Sequence, residues 1–471
     1  MCSTDISKDR FMRPAKRNRT VYKTILITLV CALAPIAHLE NANAQDGPQV
    51  SLNLSQAIDL ALKQNRTLRL AGLSVTDSEH KKEVARSAYF PHISNQSSVL
   101  HVTDLAGVQI PAGAFGVPAA TGAIPVRPLF IDQGTLTSYT SGTQLAQPLT
   151  QMFKIHESNR AAQADIDTAK VQLTQAEDVI ALKVRKLYCD LLVAQLKLQA
   201  ANEEVSASEV KNREDMDAVT NGRALDIAAL ESKAAMLEAK QTALTQKLAM
   251  HDLTLSLNDL LGLPLRSKLQ LDPDPTAVSI SIPTREECLR TAREQSPAIL
   301  AARQAVVKAK AGLGVAKDAY IPDVTGLARY SYQSGVPLLV HNFGTFGFNL
   351  SYDLFDGGRR SAEVKSARTL FDQAQVSLDN AIDEVDVEVE SAYDKVEQSQ
   401  SLATVIEEAV EVRTEAARLA DRQYEQSASL ASSRSEAHAK LASARASLLE
   451  ATLGLSLAQG DVKRVIGQIP R

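Results

Sequence analysis

The sequence contains no tryptophan, and aromatic residues make up only 4% of its 471 residues. This scarcity argues against a large globular core packed with aromatic rings, and the many small and straight-chain residues suit narrow contacts between helices. Cysteine is also scarce, because only Cys189 and Cys288 lie beyond the N-terminal region. Their dissimilar surroundings argue against a disulfide framework and against a cysteine-based metal site. We therefore expect both to be packed helix residues.

Recognisable catalytic motifs are absent as well. The sequence has no HExxH motif, no phosphate-binding loop and no nucleophile elbow, and its histidines are scattered. Gly357 and Gly358 form a lone pair in a predicted turn from strand to helix. Carboxylate pairs at helical spacing are expected of any charged helix. The sequence therefore predicts a protein that is not an enzyme and that has no metal or cofactor.

The N-terminal apolar run is too short to span a membrane. Thr24 to Ala37 is about 14 residues, whereas a spanning helix needs about 20. A basic segment precedes this run, and the small residues of Ala42-Asn43-Ala44 follow it, which predicts an export signal over residues 1–44. Cys31 follows the bulky Val30, so no lipid attachment is predicted. Without this leader the formal charge falls from −4 to −8, which argues against nucleic acid as a partner.

The chain contains an internal duplication. A shift of 205 positions places Leu149–Gly262 on Leu354–Gly467 without a gap, and Tyr188 then falls on Tyr393. Upstream, a shift of 231 places Ala88–His92 on Ala319–Asp323, so the first copy has 26 extra residues before Leu149. Such self-similarity indicates two similar packed units. We predict a first repeat over residues 45–268, a linker over 269–283 and a second repeat over 284–471.

Each repeat opens with helices that end at a proline. In the first repeat we predict helices over Ser55–Asn65 and Arg66–Ala88, with Ser55 as the N-cap of the first. Pro91 and Pro322 end the second helix of each repeat, because the proline ring blocks helix continuation. After each proline the apolar period changes from 3.6 to 2 residues, which indicates strands.

The clearest strand has one apolar and one polar face. Its apolar residues alternate with the polar or small residues from Thr345 to Ser351, which is typical of a barrel strand with lipid outside and water inside. The predicted lipid-facing residues are Phe346, Phe348, Leu350 and Tyr352. A half-buried strand in a soluble sandwich is the alternative.

The strands predict one hairpin in each repeat. The first pairs His92–Val102 with Tyr139–Leu149, and the second pairs Asp323–Tyr332 with Phe343–Leu354. Strands of about ten residues can cross a bilayer when tilted. Four strands cannot close a barrel, and open edges are not tolerated in lipid, so several protomers must combine their strands. The loop over residues 103–138 is rich in glycine and proline, and no regular structure is predicted there.

Long helical arms follow each hairpin. Leu149 to Leu263 contains no proline and carries apolar residues in a heptad pattern, which indicates coiled-coil packing. Gly222 predicts a reversal in the first arm, and residues 427–435 mark the matching reversal in the second. A helix from Phe153 to Thr220 would extend about 100 Å, as a structure crossing a compartment requires.

Opposite charges also match between the two arms. Lys183 aligns with Glu388 and Arg185 with Glu390, which suggests a sideways attraction between the arms.

Four short motifs, through their order and duplication, resemble those of the TolC-like outer-membrane efflux protein family. The motifs are Ala-Tyr-Phe-Pro at 88–91, Ala-Tyr-Ile-Pro at 319–322, Leu-Phe-Asp-Gly-Gly-Arg at 354–359 and Leu-Gly at 261–262. The resemblance implies an α+β membrane protein: a homotrimer whose four strands per protomer close a 12-stranded transmembrane β-barrel above a long α-helical coiled-coil barrel in the periplasm. It implies a passive exit duct of a tripartite efflux or type I secretion system, for small molecules or proteins. The partners would be a periplasmic adaptor and an inner-membrane pump or ABC-type transporter.

By the same resemblance, the helix reversals over residues 221–230 and 427–436 form a periplasmic gate or adaptor contact. The site residues implied are Gly222, Arg223, Leu225, Asp226, Ser427, Leu430, Arg434 and Glu436. The alternative is that these residues only cap and solubilise two helix turns. The rival function is a periplasmic coiled-coil adaptor or scaffold, although two copies that each carry a hairpin and an arm favour the duct.

Overall fold

The computed structural model describes residues 49–131, 134–272, 281–335 and 340–468. The predicted export signal and Cys31 lie outside the described residues. Of the predicted linker over 269–283, residues 273–280 also lie outside them, and residues 269–271 lie in a strand. Among the described residues, no helix is both long and apolar enough to cross a bilayer.

The first part of the chain contains two short helices, a group of strands and two long helices. These elements are β1 (Gln49–Leu52), α1 (Leu54–Gln64), α2 (Arg66–Ser87), β2 (His92–His101), β3 (Val108–Ile110), β4 (Leu129–Ile131), β5 (Thr137–Pro148), α3 (Met152–Thr220) and α4 (Asp226–Leu261).

The second part of the chain follows the same order of helices and main strands. Its elements are β6 (Lys268–Leu271), α5 (Arg285–Gln295), α6 (Pro297–Asp318), β7 (Asp323–Ser334), β8 (Asn342–Ser351), α7 (Arg359–Glu425) and α8 (Ala431–Val465). The lengths also match, since α1 and α5 have 11 residues each, α2 and α6 have 22 each, and α3 and α7 have 69 and 67.

The N-cap of α1 is Asn53, so the prediction of Ser55 was wrong. The Asn53 side chain accepts a hydrogen bond from the Gln56 backbone N–H at 2.8 Å, and the Gln56 Oε1 accepts one from the Asn53 N–H at 3.2 Å. This reciprocal capping box requires Gln or Glu three residues after the cap. Ser55 has Ile58 at that distance, and an apolar side chain cannot close the box.

The four main strands form one antiparallel sheet in the order β2-β5-β7-β8. Ile93, Leu145, Ala328 and Phe346 lie side by side in one row across it. All four strands lie where the alternating pattern predicted them. The edge strands β2 and β8 each lack a second neighbour within the described part of the chain.

The loop between β2 and β5 contains a small hairpin, which corrects the prediction of no regular structure over residues 103–138. β3 pairs with β4 in antiparallel register, with Gln109 opposite Phe130. Glycine and proline dominate the loop as a whole, but its two ends carry short runs of residues with high β-propensity. These runs can pair because the Gly/Pro-rich segment between them turns the chain.

The buried core forms two clusters, and each draws mainly on one part of the chain. The first gathers side chains of α1, α3 and α4, including Ile58, Val184 and Leu257. The second gathers side chains of α5, α7 and α8, including Val389 and Val462. Both predicted packed cysteines are confirmed, because Cys189 lies in the first cluster and Cys288 in the second.

Tyr188 ties the short parallel pair of β1 and β6 to α3. Its hydroxyl lies 2.8 Å from the Asp272 carbonyl oxygen and 3.2 Å from that of Leu52. The Tyr188 ring is buried, and this burial raises its pKa to about 12. The hydroxyl therefore stays a neutral donor and fixes both strands against the same helix.

The suggested attraction between the arms does not form within the described chain. Glu388 instead pairs with Arg464 at 2.5 Å, and Glu390 pairs with Arg285 at 2.6 Å. Arg185 is only 6% exposed, its Nη1 has no hydrogen-bond partner among the described residues, and burial lowers its pKa. Equal height along two helices does not fix the direction in which the side chains point, and this direction decides the pairing.

Candidate functional site

The first reversal, between α3 and α4, is closed by a glycine in the left-handed conformation. Gly222 has φ +69°, and its N–H bonds the Val219 carbonyl at 2.9 Å. The Arg223 N–H bonds the Ala218 carbonyl at 2.7 Å. This pair of bonds is a Schellman motif, which satisfies two carbonyls at the end of α3. The sequence prediction of a reversal at Gly222 is therefore confirmed.

The second reversal, between α7 and α8, repeats this motif with a serine. The Ser427 N–H bonds the Tyr424 carbonyl at 2.9 Å, and the Ala428 N–H bonds the Gln423 carbonyl at 2.8 Å. Ser427 has φ +56° and is the one non-glycine residue with positive φ among those described. A side chain in this region is strained, because Cβ approaches the following carbonyl oxygen.

Exposed leucines flank both reversals. Leu225 and Leu430 occupy the N-cap positions of α4 and α8, where neither can accept a capping hydrogen bond. They are 77% and 64% exposed. Arg223 and Asp226 form no ion pair with any residue that the structure describes. The first reversal thus presents an apolar side chain and two unpaired charges to its surroundings.

The second reversal carries a cluster that the sequence analysis missed. Asp421 Oδ1 lies 2.7 Å from Arg434 Nε and 2.9 Å from His438 Nε2, and the Arg434 guanidinium covers the Tyr424 ring at 5.3 Å. The hydrogen bonds from His438 and Arg434 hold the pKa of Asp421 below its usual range. The cluster fastens α7 to α8 just behind their turn.

A signal for this cluster is present in the sequence. Asp421 and Arg434 lie at nearly equal distances from the centre of the reversal, and residues placed in this way face each other in an antiparallel helical hairpin. Of this cluster, only Arg434 lies within residues 427–436, the segment that the family resemblance implies as the second tip.

The structure brings the start of α8 against the last part of α3. The Ser432 N–H donates to Glu214 Oε1 at 3.1 Å, so a carboxylate of α3 caps the N-terminus of α8. Glu436 pairs with Lys440 of its own helix at 2.5 Å, and this contact, aided by Lys211 of α3, lowers its pKa. Both predicted site segments therefore lie at the same end of the long helices.

The predicted lipid-facing residues are exposed. Phe346 is 93% exposed and Phe348 is 80% exposed, and Leu350 follows on the same face of β8. Tyr352 lies one residue beyond the strand, where the Arg360 guanidinium covers its ring at 4.6 Å.

Arg360 also anchors the turn between β8 and α7. Its Nε lies 2.7 Å from Asp356 Oδ2. Hydrogen bonds from the Arg360 side chain and backbone, with a further bond from the Gly358 N–H, lower the pKa of Asp356 to about 2. The charged pair thus fixes the turn to the start of α7, just beyond the apolar face of β8.

The family model described as "Outer membrane efflux protein" matches residues 57–263 and 288–468, which is most of the chain. The chain belongs to the outer membrane efflux protein family. The predicted family is therefore confirmed. A curated relative, the outer membrane efflux protein BepC of Brucella suis biovar 1 (strain 1330), is 23% identical over 369 residues, which cover 75% of this chain and 71% of BepC.

Solved structures of outer-membrane channels share the fold. CusC matches with a TM-score of 0.70 and 16% identity, covering 92% of this chain and 96% of that one. The CmeC outer membrane channel of Campylobacter jejuni matches with a TM-score of 0.68 and 16% identity, covering 88% and 85% of the two chains. At these identities the likeness shows the fold alone, which is mostly helical with some sheet.

Family membership confirms the general function and location predicted from the sequence. This outer membrane efflux protein is an exit channel of the outer membrane with its helical part in the periplasm. The family consists of channel proteins rather than enzymes. The gate, the assembly and the partners remain predictions.

Proposed function

We propose that three copies of the chain assemble into one passive exit duct. The observation that carries this proposal is the four-stranded sheet, whose edge strands β2 and β8 each lack a second neighbour in the described chain. An open edge leaves backbone N–H and C=O groups unpaired, and lipid cannot satisfy them. Pairing β8 of one copy with β2 of the next removes every edge. Three copies then give a closed barrel of twelve strands.

In this barrel, one face of β8 meets lipid. Phe346, Phe348 and Leu350 lie on the same face and are exposed in the single chain, as residues that contact acyl chains must be. The residues that alternate with them, Thr345, Gly347 and Asn349, are polar or small and face the aqueous interior. The two-repeat organisation supports the arrangement, because each repeat supplies one hairpin of the four strands.

The helical arms continue the duct through the periplasm. As a straight helix, the 69 residues of α3 extend about 100 Å, which is far more than a globular core requires. The duct delivers small molecules or proteins that an inner-membrane pump or ABC-type secretion transporter releases to it. A periplasmic adaptor joins the two, and the duct itself performs no chemistry.

The two reversals form the periplasmic tip, which serves as gate or adaptor contact. Leu225 and Leu430 offer exposed apolar surface for an adaptor to cover. Arg223 and Asp226 add charges without a partner in the described chain, and Gly222 and Ser427 set the sharp turns. On the second reversal Arg434 holds α7 against α8 through Asp421, while Glu436 lies further along α8.

Single-channel recording of tip variants tests this assignment. We expect Arg434→Ala to raise the conductance several-fold, because α8 is released from Asp421, and Asp226→Asn to reduce drug export in cells. Arg418→Ala is the matched control, since Arg418 lies on α7 near the tip and pairs only with Glu415 of the same helix among the described residues. Wild-type conductance and wild-type drug resistance in both tip variants would remove the gate and adaptor assignment, while the duct itself would stand.

A further inference from the structure

A groove lies between α3, α7 and α8, away from the tip and the sheet. Its volume is about 530 Å³, which is in the range of small-molecule sites. Its apolar lining includes Leu182, Leu402 and Leu457, one from each of the three helices. All three helices belong to one copy of the chain, so the groove is complete without a neighbouring subunit.

The groove has a positive rim. Lys186 of α3 and Lys395 of α7 both line it, and neither forms an ion pair with a residue in the described part of the chain. Asp461 is the one carboxylate of the described lining, and it pairs at 2.9 Å with Arg464, which also pairs with Glu388. Asp190, one turn beyond Lys186, lies outside the lining; burial raises its pKa, and the charge of Lys186 opposes this rise. The groove therefore combines an apolar floor with two lysines that form no ion pair among the described residues.

The groove opens on the face of α3 opposite Val184 and Tyr188, two members of the first buried cluster. Val184 and Tyr188 face α1 and the β1–β6 pair, and Leu182 and Lys186 each lie two positions from Val184. Successive residues of an α-helix are separated by about 100° around the axis, so a step of two reaches the opposite side. In the proposed duct, α1 and the β1–β6 pair must lie on the outside, because on the inside they would obstruct the passage. The groove then faces the passage.

We propose that this groove is a transit site for amphipathic organic anions. The apolar body of such a molecule lies on the leucine floor, and its carboxylate, sulfonate or phosphate group lies between Lys186 and Lys395. Charge complementarity selects anions, because a cation would meet two lysines and a carboxylate already occupied by Arg464. The assignment of the groove to the passage rests on the proposed duct, whereas binding of the anion is a property of the chain alone.

Calorimetric titration with 2-naphthalenesulfonate tests the site, using the full mature protein in a non-ionic detergent. We expect wild type to bind the probe and the double variant Lys186→Ala, Lys395→Ala to bind it at least tenfold more weakly. Lys183→Ala is the matched control, since Lys183 lies on the same helix but lines a different recess beside Arg66. Its affinity is expected to equal that of wild type.

A charge-reversed variant makes the test independent of folding losses. Lys186→Glu with Lys395→Glu is expected to bind the 2-naphthylmethylammonium cation in place of the sulfonate. Equal sulfonate affinity in wild type and the double alanine variant would overturn the proposal, as would preference of wild type for the cation. Conductance of the wild-type protein is measured separately. A lack of channels would remove the proposed duct, whereas the binding result decides the groove by itself.

Discussion

Ser427 adopts the left-handed conformation that Gly222 adopts at the same position of the first reversal. The hydrogen bonds of the two reversals are the same, so the two sites differ mainly in the strain at one Cβ. A glycine has no such strain and is the usual residue at this position of a helix end.

We therefore predict that Ser427→Gly stabilises the second reversal by about 0.5–1 kcal/mol. The measurement is hydrogen exchange of the amides from residue 420 to 435, which should become slower. Gly222→Ala is the matched opposite change and should speed exchange at the first reversal. No described atom lies within 4 Å of the added Cβ, so backbone conformation alone sets this effect. Faster exchange in Ser427→Gly would contradict the strain argument.

Asp356 gives a pH dependence at the junction between β8 and α7. Its pKa is lowered to about 2 by Arg360, against an unfolded value of about 3.9. A lowered carboxyl pKa stabilises the folded state above the unfolded value, and this stabilisation is lost as the pH falls through the folded value.

We predict that Asp356→Asn lowers the thermal unfolding temperature at pH 7, and that the difference from wild type shrinks between pH 4 and pH 2. Thermal scans of wild type and Asp356→Asn at several pH values measure this difference in unfolding temperature. Asp372→Asn is the control, because its exposed partner Arg368 lies 3.8 Å away on the same helix and such pairs contribute little. A difference that stays constant from pH 7 to pH 2 would contradict the role of the charged pair.

At the level of single residues, the sequence predicted glycine positions better than side-chain pairs. Gly222 was found because glycine is unfavourable inside a helix and is the usual residue where a helix ends. The Asp421 cluster and the burial of Arg185 were missed, because both depend on the direction in which a helix turns its side chains. Sequence spacing gives that direction only once the partner helix is known.

Among the elements, strand β8 makes the sharpest prediction. Phe348 and Asn349 are neighbours in sequence that point to opposite faces of the sheet. If the apolar face meets lipid, a lysine in place of Phe348 costs about 2–4 kcal/mol near the bilayer centre.

We predict that Phe348→Lys reduces the amount of protein that stays in the outer membrane after an alkaline wash, whereas Asn349→Lys leaves it unchanged. Quantitative immunoblots of the washed membranes measure both variants. Equal loss in the two variants would indicate that the face of β8 does not decide membrane insertion.

The positions of the helices and main strands followed from local sequence patterns. The pairing of strands that lie far apart in the sequence did not. The main strands and helices were predicted because alternation, prolines and glycines act within a few residues. The parallel pair of β1 and β6 joins segments more than 200 positions apart, and each strand has only four residues. This pair depends on how α3 and α4 bring the two strand segments together, and no local sequence pattern indicates that.

At the scale of the whole molecule, the sheet is incomplete as a single chain. The sequence indicated this, because four strands cannot close a barrel. It could not indicate that β2 and β8 would be the edges, since the order of strands depends on how the two hairpins join through β5 and β7. The outer membrane location follows from family membership, and the trimer remains the proposal that unites both observations.

The trimeric duct is best tested by determining the oligomer mass of the purified mature protein in detergent and recording its single-channel conductance in a planar bilayer. We expect a trimer with small and stable conductance, because the proposed duct is closed at its tip. A water-soluble monomer or dimer that forms no channels would contradict it.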